Sequence, residues 1–138
     1  MNARPLLTTL GGSVALAAGC STPTPSVTAD APEQVIAVEL IGFRGCPNTP
    51  AMRSSVRSAL EALGRGAWTF TDTDQTALGP DDPRRGWPAP TVLVNGHDLF
   101  DMAPPTDTIM QCRVYEGGVP DAAAVTAKLR QHRAAARR

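Results

Sequence analysis

The chain predicts a small α/β domain built on one mixed four-stranded sheet with flanking helices. Three observations on its 138 residues carry that expectation. An apolar, β-branched run at Val35 to Gly42 is followed by a helical repeat at Thr49 to Leu63 and an alternating strand at Trp68 to Thr71. Strand, helix, strand is the order of a parallel crossover. Further on, Thr91 to Phe100 contains Asn95-Gly96, the strongest two-residue hairpin signal because both positions need positive φ. A parallel crossover and an antiparallel hairpin then share one sheet.

Taken in chain order, Met1 to Gly19 reads as an address. One cation, Arg4, precedes Pro5 to Gly19, which is mostly small or apolar. That run of about 15 residues is short of the roughly 20 that span a bilayer, but it fits a secretory signal. Ser21 to Glu33 (STPTPSVTADAPE) is polar and proline-rich with no apolar period, the pattern of an extended tether. The folded domain is therefore expected over 34–133, with a basic tail over 134–138.

Within that domain, Val35 to Gly42 has the continuous apolar character of a strand buried on both faces. Phe43 to Asn48 turns the chain. Met52, Val56, Ala59, Leu60 and Leu63 recur at helical spacing, and Gly64 and Gly66 end the helix. Gln75 to Trp87 holds Pro80, Pro83 and Gly86, which exclude a regular helix over most of the stretch. Ala103 to Gly118 is irregular. Asp121 is placed to cap a last helix from Ala122 to about His132, with Val125 and Leu129 on its inner side.

Composition removes several function classes. Thirteen basic residues balance thirteen acidic ones, so no net field favours nucleic acid. Aromatics are 4%, too few for a base-stacking platform. His97 and His132 lack zinc-ligand spacing. Asp72 with Asp74, and Asp98 with Asp101, read as solvated carboxylates more readily than as cation sites. No phosphate loop, serine elbow or zinc-protease helix is present, and no cofactor is expected. The cations of Lys128 to Arg138 suit either a solvated helix end or an anionic membrane surface, the first being the simpler reading.

Cys46 carries the chemistry. It sits between a buried strand and a helix, where unpaired backbone N–H groups stabilise a thiolate. Arg44 is expected to add to that field, and Pro47 suits a first helical position. The alternative is a buried structural cysteine. Cys112, far along the chain, is open between a structural disulfide, a redox partner, half of a two-thiolate soft-metal site, and an unrelated thiol.

Two resemblances sharpen these readings. Leu16-Ala17-Ala18-Gly19-Cys20 resembles a bacterial lipoprotein signal cut before Cys20, although Ala17 stands where leucine is usual. It implies lipid on Cys20 and an exported, membrane-anchored protein facing outside the cytoplasm. A plain signal peptide and an unstructured cytosolic start are the alternatives.

The turn Gly45-Cys46-Pro47-Asn48-Thr49, with Ala89-Pro90-Thr91 leading into a strand, resembles the thioredoxin superfamily. The pattern also resembles a narrower group of small bacterial thioredoxin-like proteins, some with selenocysteine. These share a G-C-P-N motif with a following proline, here Gly45 to Pro50, and a P-T-[IV] strand, here Pro90 to Val92. They also share an [IV]-x-G-x-D-x-F hairpin, here Val94 to Phe100, and a late C-R-x-Y, here Cys112 to Tyr115. The resemblance implies a minimal thioredoxin-like fold whose second helix is reduced to a loop. It also implies a cis-proline at Pro90 and a thiol or disulfide substrate or partner protein. Thr49 stands where a C-x-x-C motif would have its second cysteine.

A more distant similarity is to organomercurial lyases, which implies Cys46 and Cys112 as mercury or soft-metal ligands. The aspartate of that family is replaced by Thr49. The functions in view are thiol–disulfide exchange, soft-metal binding, and a non-catalytic interaction module.

Overall fold

The computed structural model describes residues 35–138. The expected leader, the Cys20 lipid site and the tether lie outside the described residues. β1 (Ile36–Gly42) leads through the Cys46 turn into α1 (Thr49–Leu63), then β2 (Trp68–Asp74) and a single 3-10 turn at Gln75–Ala77. A long loop follows to β3 (Thr91–Val94) and β4 (His97–Asp98), and α2 (Ala122–Ala136) ends the fold. The sheet order is β2-β1-β3-β4. β1 is parallel to β2 and antiparallel to β3, which is antiparallel to β4. The chain is thus α/β, with a mixed four-stranded sheet and two helices.

The pleat of β1 divides the core. Ile36, Val38 and Leu40 point to one face, where Met52, Val56 and Ala59 of α1, Val92 and Val94 of β3, and Val125 and Leu129 of α2 close over them. Both helices therefore cover the same face. On the other face Ile41, Trp87 and Leu93 form a small cluster with Met102 against it. The long loop covers that side. Gln75, fully buried, holds the loop down: its amide donates to the Trp87 carbonyl at 2.8 Å and its carbonyl oxygen accepts from the Gly86 N–H at 3.0 Å. Gly86 has a φ of +86°, and a Cβ there would meet the Asp107 carbonyl oxygen at 1.9 Å. Only glycine fits this crossing of two loop segments.

Several expected boundaries move. Pro47 precedes the helix rather than opening it; Asn48 is the N-cap residue and Pro50 occupies the first turn, where its missing donor costs nothing. β2 runs on to Asp74 because it stays in parallel register with β1 as far as Gly42 opposite Asp74. α2 continues to Ala136, past the expected start of a separate tail at 134. Its final residues include strong helix formers and no breaker. Asp121 caps it as expected, accepting from the Ala124 N–H at 2.8 Å. Asn95 and Gly96 both have positive φ, as the hairpin reading requires. Among the described residues no helix is long and apolar enough to cross a membrane.

Candidate functional site: two cysteines on a buried ion pair

Cys46 lies in the turn between the end of β1 and α1, and is 4% exposed. Its sulfur donates to the Ala89 carbonyl at 3.2 Å. Cys112, which is exposed, brings its own sulfur to 3.0 Å from that of Cys46 and donates to it. Two thiols separated by 66 positions in the chain are in contact. Both are free cysteines.

The contact is built by the chain around Cys112. Ala89 donates to the Gln111 carbonyl at 2.8 Å, and the Arg113 N–H donates to the Ala89 carbonyl at 2.7 Å. Cys112 is thereby bridged in parallel to Ala89, the residue before the cis Ala89–Pro90 peptide. The thioredoxin resemblance has the cis-proline, Pro90, facing the sulfur. The group that hydrogen-bonds the sulfur is the Ala89 carbonyl of the same peptide, while the Pro90 carbonyl accepts from the Tyr115 hydroxyl at 2.7 Å.

Arg113 fixes the segment from below. Its guanidinium makes a forked pair with Asp98, at 2.7 and 3.0 Å, with 7% of the Arg113 and none of the Asp98 side chain exposed. Asp98 also accepts from the N–H groups of Phe100 at 3.1 Å and Met102 at 2.9 Å. Its lone pairs are well satisfied, the condition under which a buried charge is tolerated. The guanidinium lies 4.4 Å from the Tyr115 ring centre, and Tyr115 meets Phe100 edge to face at 5.6 Å. The cation therefore sits on an aromatic face while its fork holds a carboxylate. Asp98 belongs to the hairpin, so β4 and the Cys112 segment are locked together by charge.

The two sulfurs differ in acidity. Burial pushes the Cys46 thiol up, but its other contacts outweigh burial and hold it below the ordinary thiol value. These are the hydrogen bond from Cys112, the N–H of Asn48, and the hydroxyl and N–H of Thr49. Cys112 moves the opposite way, raised first by its hydrogen bond to Cys46, then by burial and by the Cys46 charge. Of the two thiols, Cys46 therefore ionises first, and Cys112 keeps its proton and donates to it. The Thr49 hydroxyl is buried and has no hydrogen-bond partner among the described residues. A Cys46 thiolate gives it one.

Arg44 lines the same cleft as Cys46. It is exposed and acts on Asp74, whose carboxyl is lowered first by the Thr76 hydroxyl and N–H and more weakly by Arg44. The contacts that lower Cys46 are the hydrogen bonds from Cys112, the Asn48 N–H and Thr49, and Arg44 is not among them.

A cleft of about 230 Å³ adjoins the turn, lined by Arg44, Cys46, Thr49, Arg53 and Asp72 among others, but not by Cys112. Arg53 is paired with Asp72 there. The other carboxylates weighed as cation ligands are also engaged, Asp98 with Arg113 and Asp101 with Lys128. No group of three or more His, Cys, Asp or Glu side chains fit for a metal occurs among the described residues.

Arg113 and Tyr115 were legible only as letters of a motif, and Asp98, read as a solvated carboxylate, is instead buried in the pair with Arg113. The signal that could have found them is the period of two in Cys112-Arg113-Val114-Tyr115, which puts Arg113 and Tyr115 on one side of an extended chain. No family model, no curated protein and no solved structure matches the chain.

Proposed function

We propose that this chain is a thioredoxin-like thiol–disulfide exchange protein whose redox pair is Cys46 and Cys112. The observation that carries the reading is the 3.0 Å contact between the two sulfurs. Cys112 brings from across the fold the second sulfur that a C-x-x-C motif would have placed at Thr49. The mixed sheet, the cis peptide before Thr91 and the thiol at the mouth of α1 support the same reading.

In the reaction, a disulfide closed between Cys46 and Cys112 accepts two electrons from two external thiols. One S–S bond is lost in the protein and one is made between the partners, through a mixed disulfide. The lowered pKa of Cys46 suits it to leave as thiolate. Anchoring through lipid on Cys20 would place this chemistry at the outer face of a membrane, in an oxidising compartment where such a pair persists.

The test is exchange with a low-molecular-weight disulfide, followed by mass mapping after alkylation. Wild type should close the 46–112 disulfide and release two thiols, whereas Cys46→Ser should stop at a mixed disulfide on Cys112 with one thiol released. Release of both thiols by Cys46→Ser would sink the proposal. The same two sulfurs also suit a soft metal ion. That reading predicts one equivalent of Hg(II) bound, lost in either single cysteine variant, with no exchange activity.

A further inference from the structure

We propose that the external sulfur bonds to Cys112 rather than to Cys46, and that it is carried by an extended apolar polypeptide segment. The inference rests on the exchange reading above and names its entry point and its substrate class.

Access separates the two sulfurs. Cys46 is buried against the Ala89 carbonyl and the first turn of α1. Cys112 is exposed. A thiolate attacks a disulfide in line with the S–S bond, from the side opposite the leaving sulfur. Attack on Cys112 comes from solvent and pushes the bonding pair onto Cys46. Attack on Cys46 would have to come from its far side, through the narrow cleft of about 230 Å³ that adjoins the turn.

The surroundings of Cys112 indicate what carries the attacking sulfur. The large apolar side chains exposed on the described residues are Val35, Ile109, Met110 and Val114, the last three at 65%, 39% and 91%. Three of the four flank Cys112. Single exposed apolar residues need no explanation, but a cluster beside a reactive sulfur marks a contact surface. The backbone agrees. The Gln111 carbonyl and the Arg113 N–H are spent on Ala89, so the pleat turns the N–H and C=O of Cys112 outward. They have no protein partner among the described residues. An extended peptide can pair with that edge while its side chains cover Ile109, Met110 and Val114.

A partner thiolate RS⁻ attacks Cys112 Sγ, the 46–112 bond breaks, and its electron pair stays on Cys46 as thiolate beside the Thr49 hydroxyl and the N–H groups of Asn48 and Thr49. The mixed disulfide is Cys112–S–S–R. A second partner thiolate R′S⁻ attacks the R sulfur, giving R–S–S–R′ and releasing Cys112, which takes a proton from solvent.

The experiment uses the full chain oxidised to the 46–112 disulfide. Its probes are the acetylated, amidated peptide Val-Val-Cys-Val-Val and N-acetylcysteine amide, at equal thiolate concentration. Reactions are quenched in acid, alkylated and mapped by mass. The expected adduct is on Cys112 with Cys46 alkylated, and the peptide should react at least about tenfold faster than the small thiol. In the variant I109S/M110S/V114S, altered only at exposed positions, the peptide should lose that advantage while the small-thiol rate stays. An adduct on Cys46, as a small thiol entering the adjoining cleft would leave, overturns the proposal. So do equal rates for the two probes in wild type. Failure to form the 46–112 disulfide at all would instead overturn the exchange reading itself.

Discussion

Replacing Arg113 by methionine removes one half of a charge pair whose other half has nowhere to go. Asp98 is wholly buried and accepts four hydrogen bonds, two from the guanidinium and two from the backbone N–H groups of Phe100 and Met102. Arg113→Met leaves the carboxylate with the two neutral donors and no counter-charge. Breaking a buried pair in this way costs about 3–5 kcal/mol. The stack on Tyr115, 4.4 Å away, adds about 0.5–2 kcal/mol. A domain of this size has about 5–15 kcal/mol of stability in total, so the variant should unfold at much lower urea.

The control is Asp98→Asn combined with Arg113→Met. The amide keeps an acceptor for the Phe100 and Met102 N–H groups but carries no charge, so the double variant should recover at least about 2 kcal/mol relative to Arg113→Met. Urea midpoints with unchanged slopes give both numbers. The variants also report on the site. Freeing even one residue of the 111–113 segment adds about 1–2 kcal/mol of ordering to disulfide closure. The equilibrium constant for the 46–112 bond should fall about tenfold. A loss below about 1 kcal/mol in Arg113→Met, or a double variant no better than the single, would refute the claim that this pair holds the site together.

Three further outcomes follow from named contacts. Met52→Ala, at a fully buried position of α1 facing β1, should cost about 2–5 kcal/mol, read from the urea midpoint. Asp121→Ala removes the acceptor for the Ala124 N–H and should cost about 1 kcal/mol, with helix loss at the start of α2 seen as faster amide exchange. Burial raises the Tyr115 phenol well above its ordinary value, the Arg113 charge opposing it only in part. The neutral phenol is thus favoured in the fold, so its stabilisation is complete below about pH 10 and is lost as pH rises further. Tyr115 is the single tyrosine, so near-UV tyrosinate absorbance reads it directly. Half-titration of the folded protein at or below pH 10 would contradict this.

The extent of what sequence conveyed follows the range of the forces involved. The bounds of α1 were legible because apolar spacing and two glycines mark them locally. The Asn95-Gly96 turn was legible because its φ requirement is local too. The end of β2 was not, since Asp72, Thr73 and Asp74 look like turn residues and are held in the sheet only by β1. The thiol character of Cys46 could be argued from its place before a helix. Its partner could not, because the contact with Cys112 is made by a loop that Asp98 and Arg113 fix, and polar residues in separate loops read as solvated until the fold buries them. Gln75 is the same case: a lone glutamine in a loop gives no sign that it is fully buried between two turns of chain.

The unequal cover of the sheet has a consequence for exchange and proteolysis. One face lies under two fifteen-residue helices, the other under a loop pinned by Gln75, Trp87 and Gly86. Amides of β1 and α1 should be released only with the whole domain, whereas residues 75–90 can detach in a smaller opening that leaves the helical layer intact. That loop ends on Ala89, whose carbonyl rests on Cys46 and whose backbone holds the Cys112 segment. Opening of the thin cover therefore uncovers the inner sulfur and separates the pair in one motion, at a free energy below that of global unfolding. Modification of Cys46 by a reagent too large for the adjoining cleft then measures how often that cover lifts.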